Sequence, residues 1–134
     1  MSGSRVREAM VSEPATLDAS ASAMEAGARL AQPEVRAVLV CDEGTLIGVV
    51  TRKTLVREVV AAGRDPRSTA LREIAEPPHF TLDADVPLDV AFQLLEERDL
   101  ERVPVLEGGR LVGVLSRSGV QRRLAEDETA EEPA

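Results

Sequence analysis

The chain repeats itself. Residues 6–59 return without a gap as residues 71–124, displaced by 65 positions. Identical pairs run through the whole alignment: Arg7/Arg72, Glu8/Glu73, Thr16/Thr81, Leu17/Leu82, Asp18/Asp83, Ala26/Ala91, Leu30/Leu95, Val38/Val103, Val40/Val105, Gly44/Gly109, Gly48/Gly113 and Arg52/Arg117 among them. Most other pairs set apolar against apolar. A repeated unit of this kind does not usually bury its own apolar face, and stacking against a neighbour supplies the cover. Two copies that cover each other create a pseudo-two-fold and two equivalent clefts. Function is sought there.

At 134 residues the chain is the size of one ordinary domain, large enough for a true core. Phe80 and Phe92 are its only aromatic residues, so the core must be Val, Leu, Ile and Ala. The net charge of −8 gives no attraction to a phosphate backbone, which argues against general nucleic-acid binding. Cys41 is alone, so no internal disulfide forms. No apolar run reaches the ~18 residues of a membrane span. The first residues lack the apolar stretch of a signal peptide. A cytoplasmic protein without a membrane partner is expected.

Each half reads in the same order. A short amphipathic piece (Val6–Val11, Leu71–Ala75) precedes prolines and a short extended pair, Thr16-Leu17 or Thr81-Leu82. A helix follows. Ser20 and Asp85 hold matching places before it and are suited to cap its first turn. In the second copy Leu88, Ala91, Phe92 and Leu95 fall on one helical face; in the first the matching residues are Ala23, Ala26, Gly27 and Leu30. Two strands come next, joined by Asp42-Glu43-Gly44 or Glu107-Gly108-Gly109, sequences suited to a tight hairpin. The return strands, Leu46–Val50 and Leu111–Leu115, are apolar throughout, which predicts burial on both faces. Gly48 and Gly113 lie mid-strand, a sign of a bulge or close backbone approach. A last helix is predicted over Arg52–Ala62 and Arg117–Ala125, with Leu55, Val56, Val59 and Val60 as the apolar stripe of the first. The expected organisation is a first unit at 5–62, a linker at 63–69, a second unit at 70–125 and a disordered acidic tail at 126–134.

The segments Leu46-Ile-Gly-Val-Val-Thr-Arg-Lys-Thr-Leu55 and Leu111-Val-Gly-Val-Leu-Ser-Arg-Ser-Gly-Val120 carry a resemblance, with Ala37–Val40 and Arg102-Val-Pro-Val105 ahead of them. Residues 5–125 resemble the tandem CBS (cystathionine-β-synthase) domain family, whose pairs are called Bateman modules. The resemblance implies an α+β fold of two βαββα units packed sheet to sheet with pseudo-two-fold symmetry, often forming homodimers. It implies an adenine nucleotide (AMP, ADP, ATP or S-adenosylmethionine) as regulatory ligand, and no other cofactor. Carried over residue by residue, the phosphate and ribose contacts fall on Thr51, Arg52, Lys53, Thr54, Arg102, Ser116, Arg117 and Ser118. The base pocket falls on Thr16, His79, Phe80 and Thr81. The family often has an Asp three residues after the hydroxyl that ends the third strand. Here those places hold Thr54, with one neutral hydroxyl, and Gly119, with no side chain.

Read from the residues alone, Thr51 and Ser116 have two open uses: capping the helix that follows, or joining its free amides in holding an anion. Arg52, Lys53 and Arg117 are forked or compact cations in the right place for phosphate, and they oppose the helix dipole there. His79 and Phe80 can stack on a base or be a loop His beside a core Phe. A lone His makes no metal site. Cys41 reads as a small buried hydrophobe. With no nucleophile–base spacing and no phosphate loop, no enzyme is expected. The leading expectation is a regulatory module that signals to an unidentified protein partner. The alternative is a ligand-free dimerisation or docking scaffold.

Overall fold

A computed structural model describes residues 3–12 and 14–131. The fold is α+β and divides into two compact units. One spans Ala15–His79. The other combines the chain through Pro14 with everything from Phe80 onward. The repeat and the compact unit are therefore different stretches of chain: each repeat gives its leading helix to the unit built by the other.

In the unit of residues 15–79, β2 (Thr16–Asp18) runs parallel to β3 (Val38–Asp42), which is antiparallel to β4 (Thr45–Val50). Helix α2 (Ala23–Leu30) connects β2 to β3, and α3 (Arg52–Leu55) follows β4. The unit closes with α4 (Leu71–Ile74). Leu71 and Ile74 enter a core with Ala23, Ala26, Leu30, Val38, Val40, Val50 and Val59. The other unit repeats the plan. Strand β5 (Leu82–Asp83) is parallel to β6 (Arg102–Glu107), which is antiparallel to β7 (Arg110–Ser116), and β1 (Val11–Ser12) pairs with β7. Helices α5 (Leu88–Glu97) and α6 (Arg117–Glu131) cover it, and α1 (Val6–Ala9) brings Val6 into a core with Leu88, Ala91, Leu95, Val103, Val105, Leu115 and Val120.

The exchange of leading helices is hydrogen-bonded identically on both sides. Leu71 N donates to Ala21 O (2.9 Å) and Arg72 N to Ala19 O (3.0 Å); Val6 N donates to Val86 O (2.9 Å) and Arg7 N to Ala84 O (3.0 Å). Helices of one turn have no stability of their own. These bonds and the buried Leu71, Ile74 and Val6 supply it.

The mid-strand glycines make room for this exchange. A Cβ on Gly48 would lie 2.7 Å from Ala75 Cβ and 2.9 Å from Glu76 O. One on Gly113 would lie 2.6 Å from Met10 Sδ and 2.8 Å from Val11 O. The space above each strand is occupied by the chain leaving the leading helix. Val49 N donates to Glu76 O (2.8 Å) and Glu76 N to Val49 O (3.0 Å).

The hairpin turns have the left-handed residues expected of them, Glu43-Gly44 (φ 50° and 86°) and Gly108-Gly109 (φ 59° and 82°). Other details differ from the sequence reading. The cap of α2 is Ser22, whose Oγ accepts from Glu25 N at 3.2 Å; at the matching place α5 has Pro87. Ser20 and Asp85 instead give their backbone amides to Asp18 and Asp83, each two residues earlier, in Asx turns (2.9 Å both). The Ser20 hydroxyl and amide hold the Asp18 carboxyl below the usual carboxylate range. Burial on both faces holds for β3 over Val38–Val40 but not for the return strands: Ile47 is exposed, and β4 and β7 alternate toward their C-terminal ends.

The last helices also differ. After α3 the chain widens into a π-helical turn over Val56–Val60, with Ala61 N reaching five residues back to Val56 O (2.8 Å). Val59 is buried and Leu55 packs on the core, but Val56 and Val60 face outward, 59% and 74% exposed. Helix α6 runs to Glu131, so the acidic segment expected to be disordered is helical that far; residues 132–134 lie outside the described residues. Two contacts extend it: Arg123 Nε to Asp127 Oδ1 (3.2 Å) and Ser4 Oγ to Asp127 Oδ2 (2.7 Å). The linker is ordered too. Met24 N donates to Pro66 O and Thr69 Oγ1 to Asp65 O, which lays it along α2. Among the described residues no helix is long and apolar enough to cross a membrane.

The glycine gap is testable. Gly48→Ala should lower stability by about 1–3 kcal/mol, because the atoms it meets are backbone and a short side chain that cannot swing away. Urea unfolding measures it, and an unchanged midpoint would contradict the close approach.

Candidate functional site

The two strand-to-helix junctions carry the hydroxyls singled out in the sequence. At the first, Thr51 takes an extended conformation and its Oγ1 accepts from Thr54 N (3.3 Å) while Thr51 N donates to Thr54 Oγ1 (3.0 Å). This is a reciprocal capping box closed by two threonines. Thr54 is 1% exposed, and its hydroxyl also lies 3.4 Å from Glu76 Oε1. The Glu76 carboxylate pairs with Arg57. The side chain placed at a ribose contact by resemblance is thus a buried part of the α3 cap.

At the second junction Ser116 Oγ accepts from Gly119 N (3.0 Å), capping α6. Ser118 is exposed, its hydroxyl 3.5 Å from that of Ser116. Arg102 is exposed on β6 and stands in register opposite Ser116 on β7. Its counterpart in the other repeat, Ala37, has no polar group. One cation, two hydroxyls and the first turn of a 15-residue helix therefore gather in the second repeat. At the first junction the exposed cation is Lys53 on the four-residue α3, and position 37 is Ala.

The identical pair Arg52 and Arg117 turns away from these junctions. Arg52 donates to Gln32 O (2.9 Å), just past the end of α2. Arg117 donates to Leu100 O (2.9 and 3.0 Å), Leu95 O (3.3 Å) and Asp99 Oδ1 (3.3 Å), around the end of α5. At the start of its own helix each cation opposes the dipole; at the end of the preceding helix it meets carbonyls with the favourable sign. The pair clamps α2 and α5. Lys53 is exposed.

The residues expected around a base fall in separate units. Thr16 lies on β2 against Leu39, and His79 is exposed at the end of the same unit. Phe80 and Thr81 belong to the other unit. Phe80 packs on its core, and the Arg98 guanidinium covers the ring at 4.5 Å from the centroid. Cys41 is half-buried rather than fully buried; burial pushes its thiol pKa up, and Asp18 adds to the shift. Among the described residues no group of three or more His, Cys, Asp or Glu side chains is placed to hold a metal ion.

Sequence reasoning missed Glu76 and Arg98. Glu76 has Val11 as its counterpart in the repeat, so nothing in the pattern marked it. Asp18 and Asp83, identical in the two copies, did carry a signal for their Asx turns.

Comparison with known proteins gives three findings. The family described as CBS domain matches the chain twice, at residues 6–61 and 71–126. The chain is 31% identical to Hypoxic response protein 1 of Mycobacterium tuberculosis over 117 residues, 87% of this chain and 78% of that protein. Among solved structures, Hypoxic Response Protein I with two coordinated zinc ions superimposes with a TM-score of 0.75 at 24% identity, covering 90% of this chain and 98% of that one. CBSX2 in complex with AMP gives 0.74 at 23% identity, covering 94% and 99%. At these identities the structural likeness speaks for the fold.

The arginine clamp makes a prediction. Arg117→Ala should lower stability by about 1–3 kcal/mol, by removing two bonds to Leu100 O and a second donor to Leu95 O, which also accepts from Leu100 N. Arg52→Ala, which removes a single carbonyl contact, should cost less. Equal midpoints for Arg117→Ala and the parent protein in chemical unfolding would remove the clamp.

Proposed function

This chain belongs to the CBS domain family, and on that premise we propose that it is a regulatory module that takes an adenine nucleotide and passes the bound state to a protein partner. The observation that carries the reading is the cluster where β6 begins and β7 ends: exposed Arg102 opposite Ser116, with Ser118 on the first turn of α6. Guanidinium, hydroxyls and helix amides together are a phosphate-binding set. The AMP complex of CBSX2 supports an adenosine ligand. The second repeat holds the phosphate; the first, whose hydroxyls cap one another, contributes less. No catalytic step is assigned to the module, and nucleic acid is not a partner. The ligand acts by its different affinity for two arrangements of the protein, which is the only way binding shifts an equilibrium.

A second reading has its own observation. Thr54 is locked in its cap and Gly119 has no side chain, so neither junction offers a carboxylate for ribose. On this reading the chain is a scaffold that has lost its ligand.

Melting the protein with AMP, ADP, ATP or S-adenosylmethionine decides between them. A ligand at 100 times its dissociation constant adds about 2.7 kcal/mol. Arg102→Ala should weaken that ligand by about tenfold or more. No shift with any of the four at millimolar concentration removes the regulatory reading.

The scaffold reading predicts gain of function. In Gly119→Asp the new Cβ lies 2.9 Å from the Ser116 hydroxyl, which must shift from its cap on residue 119, and an acid suits this early helical position. Nucleotide binding by the variant and none by the parent would favour the scaffold. Thr54→Asp is the poorer test, because the new carboxylate would face Glu76.

A further inference from the structure

Three side chains peculiar to the second repeat gather at one end of its sheet. Phe80, Arg98 and Arg102 match Ala15, Pro33 and Ala37 in the first. All three belong to one compact unit. Leu82 pairs with Val105 in the parallel β5–β6 ladder, so Phe80, two residues earlier, lies toward the start of β6, where Arg102 stands opposite Ser116. The aromatic ring and the phosphate-binding set therefore share this end of the sheet.

The end of α5 delivers Arg98 to the same place. Arg98 N donates to Leu94 O (3.1 Å), and Asp99 turns left-handed after it (φ 53°). Arg117 N donates to Glu101 O (2.8 Å), which ties the segment between Arg98 and Arg102 to the first turn of α6. The Arg98 guanidinium lies 4.5 Å from the centroid of Phe80, a half-buried ring packed on the core. Glu97 and Asp99 flank Arg98 in sequence, yet Asp99 pairs with Arg117, and among the described residues no carboxylate forms an ion pair with Arg98. An exposed cation over a ring is a weaker contact than a base stacked on that ring. Phe80 is thus covered by a group that a base can displace, and the displaced group carries a charge without a partner.

Resting on the nucleotide reading above, we propose that Arg98 sets the preference of this site for nucleotides over nucleosides: the base takes Arg98's place on Phe80, and the freed guanidinium pairs with the phosphate that Arg102 holds. A nucleoside displaces the cation and offers it no charge in return. A nucleotide replaces the lost ring contact with a forked, charge-assisted pair. Arg98 acts against one class of ligand and for the other, which a residue that only supports Phe80 does not do.

Calorimetric titration of the full chain with adenosine, AMP, ADP and ATP tests this, read as the ratio of the adenosine dissociation constant to that of the tightest nucleotide. Arg98→Ala should tighten adenosine by about twofold to fivefold, by uncovering the ring, and weaken the nucleotide by about tenfold. Arg98→Lys keeps a cation and should hold nucleotide affinity within about threefold of the parent. Arg98 is exposed, so the variants should melt near the parent's temperature; Arg98→Met, which keeps the apolar stem, serves if Arg98→Ala does not. Adenosine and nucleotide weakening together would make Arg98 a support for the ring and overturn the proposal. So would an unchanged ratio, or Arg98→Lys binding nucleotide no better than Arg98→Ala. A parent protein that binds none of these nucleotides removes the nucleotide reading and this proposal with it, whereas an unchanged ratio in a protein that binds them removes this proposal alone.

Discussion

Gly48 and Gly113 lie on strands that must pass beneath another stretch of backbone at a distance no Cβ permits. That clearance lets Ala75-Glu76 lie on β4 and Met10-Val11 on β7. It seats α4 and α1, whose Leu71, Ile74 and Val6 complete the two cores. The hydrogen bonds from Val49 to Glu76 and the β1–β7 pairing use the same gap. Each unit therefore depends on a segment belonging to the other repeat.

Residues shared by the two repeats prove to be architectural. Arg52 and Arg117 gather carbonyls at the ends of α2 and α5. Asp18 and Asp83 each close an Asx turn. Thr51 and Ser116 each cap a helix. Residues that differ between the repeats set up individual chemistry: Arg102 against Ala37, Ser118 against Lys53, Gly27 against Phe92. A duplicated fold keeps what both copies need for folding and is free to vary the rest, so the two repeats differ in the side chains they expose at the unmatched pairs.

The two helical layers follow the same rule. Large Leu88 and Phe92 fill the space beneath α5, whereas Ala23 and Gly27 leave α2 beside a hollow. The π-helical turn then directs Val56 and Val60 outward, while α6 continues as a regular α-helix stabilised by Arg123, Asp127 and Ser4. A difference of a few side-chain volumes gives one repeat an apolar face and the other a polar one.

The residues by themselves determined the duplication, the order of elements, the type of each hairpin turn and the core strands, because hydrophobic period and turn chemistry are local properties. They also marked the mid-strand glycines as places of close approach. Tertiary structure decided what passes over those glycines, which unit each leading helix joins, and where the cations point. An arginine at the start of a helix reads as an anion ligand, and the fold also brings the end of another helix within its reach. Thr54 reads as an open hydroxyl until Thr51 and Glu76 close around it. Contacts between residues far apart in sequence leave no mark in local pattern, and only the folded chain shows which polar groups remain exposed.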